Sequence, residues 1–176
     1  MKINSEKNLN ILKGRVEMNS MELAISLEME SKKFYLEQAD QTEDHGLRSI
    51  FHTLAEEESI HARILKNKAA ELPFELVDTY AEIKNIFSAI GAHKGIVKIK
   101  PESVDLYNMA LENEKKSLRL YENMKQEADS DNEKAVFDFL IRQETDHFEV
   151  MEELIKLINR PRDWVESAEF GLREEY

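Results

Sequence analysis

The sequence predicts an all-α fold, a four-helix bundle built from two helical hairpins joined by a long crossover, and three observations carry that expectation. Only 5 Gly and 3 Pro occur in 176 residues, against 41% hydrophobic and 34% charged residues, so turn formers are scarce and straight-chain helix formers abundant. Apolar residues recur at helical spacing along four long stretches that contain neither proline nor glycine. The second pair of stretches also repeats the first. At this length a single domain with one continuous core is expected over 1–176.

The first helix is expected from about Asn19 to Asp40, with Met21, Ala24, Glu28 and Tyr35 at helical spacing. The polar stretch from Asp40 to Gly46 reads as a turn. Leu47, Phe51, Leu54, Glu58, His61 and Leu65 then form one stripe of a second helix, completing a hairpin over about 19–68. Between about 69 and 102, Pro73, Gly91, Gly95 and Pro101 surround a short helix expected near Leu76 to Ala89, and this stretch reads as the crossover. Ser103 can cap the third helix, which continues to about Ala128, and Asp129 to Asn132 supply the second turn. The fourth helix carries Phe137, Leu140, Glu144, His147, Met151, Leu154 and Ile158 on one face until Pro161 is expected to stop it. The second hairpin thus covers about 103–160, and a tail over 161–176 holds the only Trp.

The two hairpins superpose at a constant offset of 86, which carries Glu28 to Glu114, Glu58 to Glu144 and His61 to His147. The same offset carries Ala24, Ser31, Tyr35, Phe51 and Leu54 to Ala110, Ser117, Tyr121, Phe137 and Leu140. A Glu-x-x-His pair alone is weak evidence in so acidic a chain. Two such pairs in one register, each on an apolar stripe, are not accidental. In each hairpin 30 residues separate the first-helix Glu from the second-helix Glu (Glu28 to Glu58, Glu114 to Glu144), with the midpoint in the expected turn. Antiparallel helices of equal rise then bring the two carboxylates level.

A carboxylate on a core-facing stripe loses its hydration, and four meeting together would sooner bind protons than stay ionised. Two divalent cations resolve the conflict, because four carboxylates balance their charge and imidazoles complete the coordination. The candidate metal ligands are therefore Glu28, Glu58, His61, Glu114, Glu144 and His147. Mixed carboxylate and imidazole donors suit iron, with manganese or zinc as other occupants. The formal net charge of -12 disfavours nucleic acid, and the absence of Cys excludes disulfides, thiolate zinc sites and iron-sulfur clusters. No apolar run approaches the roughly 20 residues that span a bilayer, and Met1 to Gly14 lack a signal-peptide core, so a cytoplasmic protein without a membrane partner is expected.

The stretches LEMESKKFYLEQA from Leu27, LAEEESIHARIL from Leu54, ALENEKKSLRLY from Ala110 and RQETDHFEVM from Arg142 resemble the rubrerythrin and ferritin-like di-iron carboxylate family over about Met18 to Ile158. The resemblance implies a ferritin-like bundle in which Glu58 and Glu144 bridge two iron ions, Glu28 with His61 holds one, and Glu114 with His147 holds the other. It implies a second-shell place for Tyr35 and Tyr121, which could equally be plain core aromatics. It also implies an oxidoreductase of the peroxidase or ferroxidase type, reducing hydrogen peroxide or oxygen. The sequence departs from the family where a further carboxylate often stands one turn after the third-helix ligand: Ser117 is there, and Ser31 is its counterpart. Without Cys there is no rubredoxin-type centre in this chain, so electrons are expected from an external donor protein. Other readings are a non-catalytic iron-handling module and an interaction bundle whose Glu and His residues bind metal incidentally. His45, His52 and His93 lack a partner motif and are expected to be solvated, and the Met residues are expected to fill the core. Trp164 and Phe170 are expected to pack on the bundle or on a neighbouring subunit, and Phe139, Ile141 and Phe148, off the ligand stripe, point to such a contact in a homodimer.

Overall fold

The computed structural model describes residues 18–77 and 103–170, with side chains in the fourth helix described to residue 156. Helix α1 spans Ser20–Gln41, α2 His45–Ala69, α3 Ser103–Glu127 and α4 Asp131–Phe170. No strand occurs among the described residues.

Three of the helices start where the sequence offers a cap. Asn19 accepts from the Glu22 amide while the Glu22 carboxylate accepts from the Asn19 amide, a reciprocal capping box that satisfies two donors at the start of α1. Asp44 caps α2 through the Leu47 amide, and Ser130 caps α4 through the Glu133 amide. The two hairpin loops are shorter than the sequence suggested, residues 42–44 and 128–130, and they obey the same offset as the helices. Gly46, expected in the first turn, lies inside α2. Arg48 closes that loop by donating to the carbonyls of Ala39 and Thr42, which would otherwise lack intrahelical partners.

Two apolar layers fix the topology. One joins Tyr35 and Ala39 near the end of α1 to Leu47, Phe51 and Leu54 near the start of α2, Tyr107 and Ala110 near the start of α3, and Met151 and Leu154 of α4. The other joins Ala24 early in α1 to Ile64 and Leu65 late in α2, Tyr121 and Met124 late in α3, and Phe137 and Leu140 early in α4. Helix α2 is therefore antiparallel to α1 and parallel to α3, which is the arrangement that calls for a crossover. The crossover helix expected near Leu76–Ala89 falls, from residue 78 on, outside the described residues, as do Gly91, Gly95, Pro101 and His93.

Three expectations change. Pro161 does not stop the last helix, which continues to Phe170. A proline removes one helical hydrogen bond, at about 3 kcal/mol, and the residues after it up to Phe170 hold no second breaker. The side chains of Trp164 and Phe170 lie outside the described ones. Phe139 is not an outward-facing aromatic: it is 4% exposed within the second apolar layer, and Ile141 packs against that layer. Among the described residues, Met124 and Met151 are buried in the core and Met21 packs against it, whereas Met18, Met29 and Met109 are exposed. His45 and His52 are exposed as expected.

Helix α2 ends with Glu71 in the left-handed region at φ 55°, where the Leu72 amide reaches back to the Asn67 carbonyl. Glycine takes that conformation without the Cβ clash. Replacing Glu71 with Gly is expected to raise stability by roughly 0.5–1 kcal/mol in urea unfolding, after the added freedom of the unfolded chain is subtracted.

Candidate metal centre

The two apolar layers leave a polar layer between them, and all four helices contribute to it. Glu28 comes from α1, Glu58 and His61 from α2, Glu114 from α3, and Glu144 and His147 from α4, each no more than 1% exposed. Within α2 and α4 the three-residue spacing puts carboxylate and imidazole on one helix face. One ligand-type atom from each of Glu58, His61, Glu144 and His147 lies within 4.8 Å of every other. Nδ1 of His61 is 3.0 Å from Glu144, 3.3 Å from Glu28 and 3.6 Å from Glu58. Nδ1 of His147 is 3.1 Å from Glu58 and 4.0 Å from Glu144. The two imidazoles stack at 5.4 Å between centroids. Glu114 adjoins Glu144, as Glu28 adjoins Glu58.

Each tyrosine crosses to the other hairpin. The Tyr35 hydroxyl donates to Oε1 of Glu114, and the Tyr121 hydroxyl donates to Oε1 of Glu28. Both rings are fully buried and stacked on a phenylalanine one helix away, Tyr35 on Phe51 and Tyr121 on Phe137. Each hydroxyl thus occupies one carboxylate oxygen and leaves Oε2 of the same group bare. Burial and then the neighbouring carboxylates, Glu114 first for Tyr35 and Glu28 first for Tyr121, push both phenols well above their usual range and keep them as neutral donors.

Among the described residues, five buried side-chain atoms make no well-aligned hydrogen bond: Oε2 of Glu28, Glu58 and Glu114, Oε1 of Glu144, and Nδ1 of His61, whose approaches to Glu144 and Glu28 are close in distance but poorly aligned. Buried polar atoms rarely go unsatisfied, and these five come from all four helices to one polar layer. A carboxylate oxygen can only accept when ionised, so cations are the group this donor set fits. The electrostatics agree. Burial, followed by the charge of Glu28, pushes Glu58 up to about 8, and burial with neighbouring carboxylates also raises Glu144 and Glu114. Burial presses on Glu28 as well, but the close approach of Glu58 and His61 and the hydrogen bond from Tyr121 outweigh it and hold its carboxyl below the usual range. Burial alone would lower both imidazoles, yet the carboxylates around them raise both well above the usual histidine range.

All six residues expected as ligands are thus brought together, with Tyr35 and Tyr121 beside them. Ser31 and Ser117 also face inward, 5% and 2% exposed. Sequence reasoning missed Glu57, which is 3% exposed and meets Nε2 of His147 at 2.7 Å. It sits within the acidic run Glu56 to Glu58, which looks like a solvated face. The available signal was the offset, which pairs it with Gln143, another polar residue buried on α4.

The rubrerythrin family model matches residues 19–155 of the chain. No curated protein and no solved structure matches it.

Without metal the centre must hold protons instead. Glu58, protonated more readily folded than unfolded, contributes stability that is full below about 4.5 and lost as pH rises toward 8, and the two raised imidazoles act in the same direction. Metal-free protein is therefore expected to lose stability in urea between pH 5 and 8.5, as measured by circular dichroism, and a divalent metal should flatten that dependence. Equal stability across that range without metal would contradict it.

Proposed function

The chain belongs to the rubrerythrin family, and on that premise we propose that it binds two iron ions and reduces hydrogen peroxide or oxygen with electrons from an external donor protein. Glu58 and Glu144 would lie between the ions, Glu28 with His61 would hold one, and Glu114 with His147 the other. The observation that supports this reading is the convergence of five unpartnered buried atoms from four helices on one polar layer.

An iron pair, when bound, supplies the two electrons that cleave the O–O bond of peroxide. The remaining roles belong to this chain. The four carboxylates, four of the six donor residues, would neutralise the ions, and all six sit buried in the core. The hydroxyls of Tyr35 and Tyr121 hold Glu114 and Glu28 through one oxygen each, so that the other oxygen of each would be free to ligate. No helix among the described residues is long and apolar enough to cross a membrane.

Anaerobic loading with Fe(II) is expected to leave about two iron ions per chain, and the loaded protein should consume peroxide or oxygen when a reductant is supplied. Changing Glu58 and Glu144 together to Ala should abolish both the retained iron and the iron-dependent gain in melting temperature. Iron in large excess would indicate storage. Two retained ions without consumption of either oxidant would remove the catalytic claim.

Tyr121→Phe provides a finer test, since it keeps the stacked ring and deletes one hydrogen bond to Glu28. It is expected to weaken iron binding by about 10–100-fold, the usual effect of losing a partner behind a metal ligand, while circular dichroism stays unchanged.

A further inference from the structure

The offset that relates the hairpins fails at several buried positions, and two of those failures flank the imidazoles. Behind His147 stands Glu57, whose Oε2 is 2.7 Å from Nε2. The position equivalent to Glu57 in the second hairpin is Gln143, also buried, at 2% exposure. Against His61 stands Phe139, edge-on to the imidazole at 6.4 Å between centroids and 89° between planes, with the Arg142 guanidinium over the Phe139 ring at 5.9 Å. The residue equivalent to Phe139 in the first hairpin is Thr53, half-buried, whose hydroxyl donates to the Ser49 carbonyl. One histidine is backed by a carboxylate, and the other is packed by an aromatic edge.

Resting on the two-metal reading above, we infer that the two metal positions are unequal and that Glu57 makes the His147 position the tighter one. The geometry gives the reason. When Nε2–H of His147 donates to Glu57, the lone pair of that imidazole is left on Nδ1, the nitrogen that faces Glu58 at 3.1 Å. A carboxylate behind a ligating imidazole fixes the tautomer, holds the ring and raises its basicity toward metal. Gln143 carries no charge and cannot raise basicity to the same degree. Phe139 adds no acceptor at His61. Glu57 is thus a positioning residue that acts through His147 and touches neither ion.

Calorimetric titration of the metal-free protein with cobalt(II) alone tests this. The wild-type protein is expected to bind two ions in steps separated by about 10–100-fold in affinity. His147→Ala should remove the tight step and His61→Ala the weak one. Glu57→Gln should bring the remaining steps close together, while Glu57→Asp, which keeps the charge, should preserve the separation. Gln143→Glu, which retains Glu57 and so does not depend on the first variant folding, should narrow the gap by tightening the weaker step. Two equal steps in the wild type, a separation unchanged in Glu57→Gln, or loss of the tight step in His61→Ala would each overturn the inequality while leaving two bound ions. Absence of cobalt binding by the wild type would instead overturn the two-metal reading itself.

Discussion

Four carboxylates, those of Glu28, Glu58, Glu114 and Glu144, are enclosed together at the middle of a helical bundle, each 1% exposed or less. Burying one such group without a partner costs several kcal/mol, and bringing four together adds their mutual repulsion. Two features around them relieve that cost in part: two tyrosine hydroxyls each take one oxygen, and two imidazoles approach. What remains is a set of acceptor atoms with nothing to accept from. A pair of cations is the group whose charge and coordination suit that remainder.

The duplicated hairpin explains how one chain builds such a centre. A single hairpin can bring one pair of carboxylates level, because equal rise on either side of a three-residue loop makes Glu28 meet Glu58. The second hairpin supplies the other pair by the same arithmetic, and the tyrosines lock the two together by reaching across. The stacked pairs Tyr35 with Phe51 and Tyr121 with Phe137 then seal the polar layer on its two sides. Ligand geometry, aromatic layers and capped loops all inherit one symmetry, and departures from it, such as Glu57 against Gln143, carry the individuality of the site.

Much of this was legible in the sequence because helical periodicity and a constant offset are both patterns along the chain. The four helices and the six residues expected as ligands follow from spacing, whereas the place of Tyr35 and Tyr121 beside them came with the family resemblance. What spacing does not encode is which neighbour a side chain meets across a helix seam. No motif along the chain singles out Glu57 within its acidic run, yet its place on α2 turns it toward α4. Phe139 lay off the ligand stripe and suggested an outer surface, yet the bundle wraps it against His61. Pro161 suggested an end, but one lost hydrogen bond does not terminate a helix whose later residues still favour it.

Crystallography of the iron-loaded protein at the iron absorption edge would reveal whether this polar layer holds two metal ions within one chain. Two anomalous peaks are expected in the layer between the Tyr35 and Tyr121 rings, with Glu58 and Glu144 in contact with both and His61 and His147 on separate ions. A layer without anomalous density in fully loaded crystals, or iron bound only at surface carboxylates, would contradict the two-ion reading.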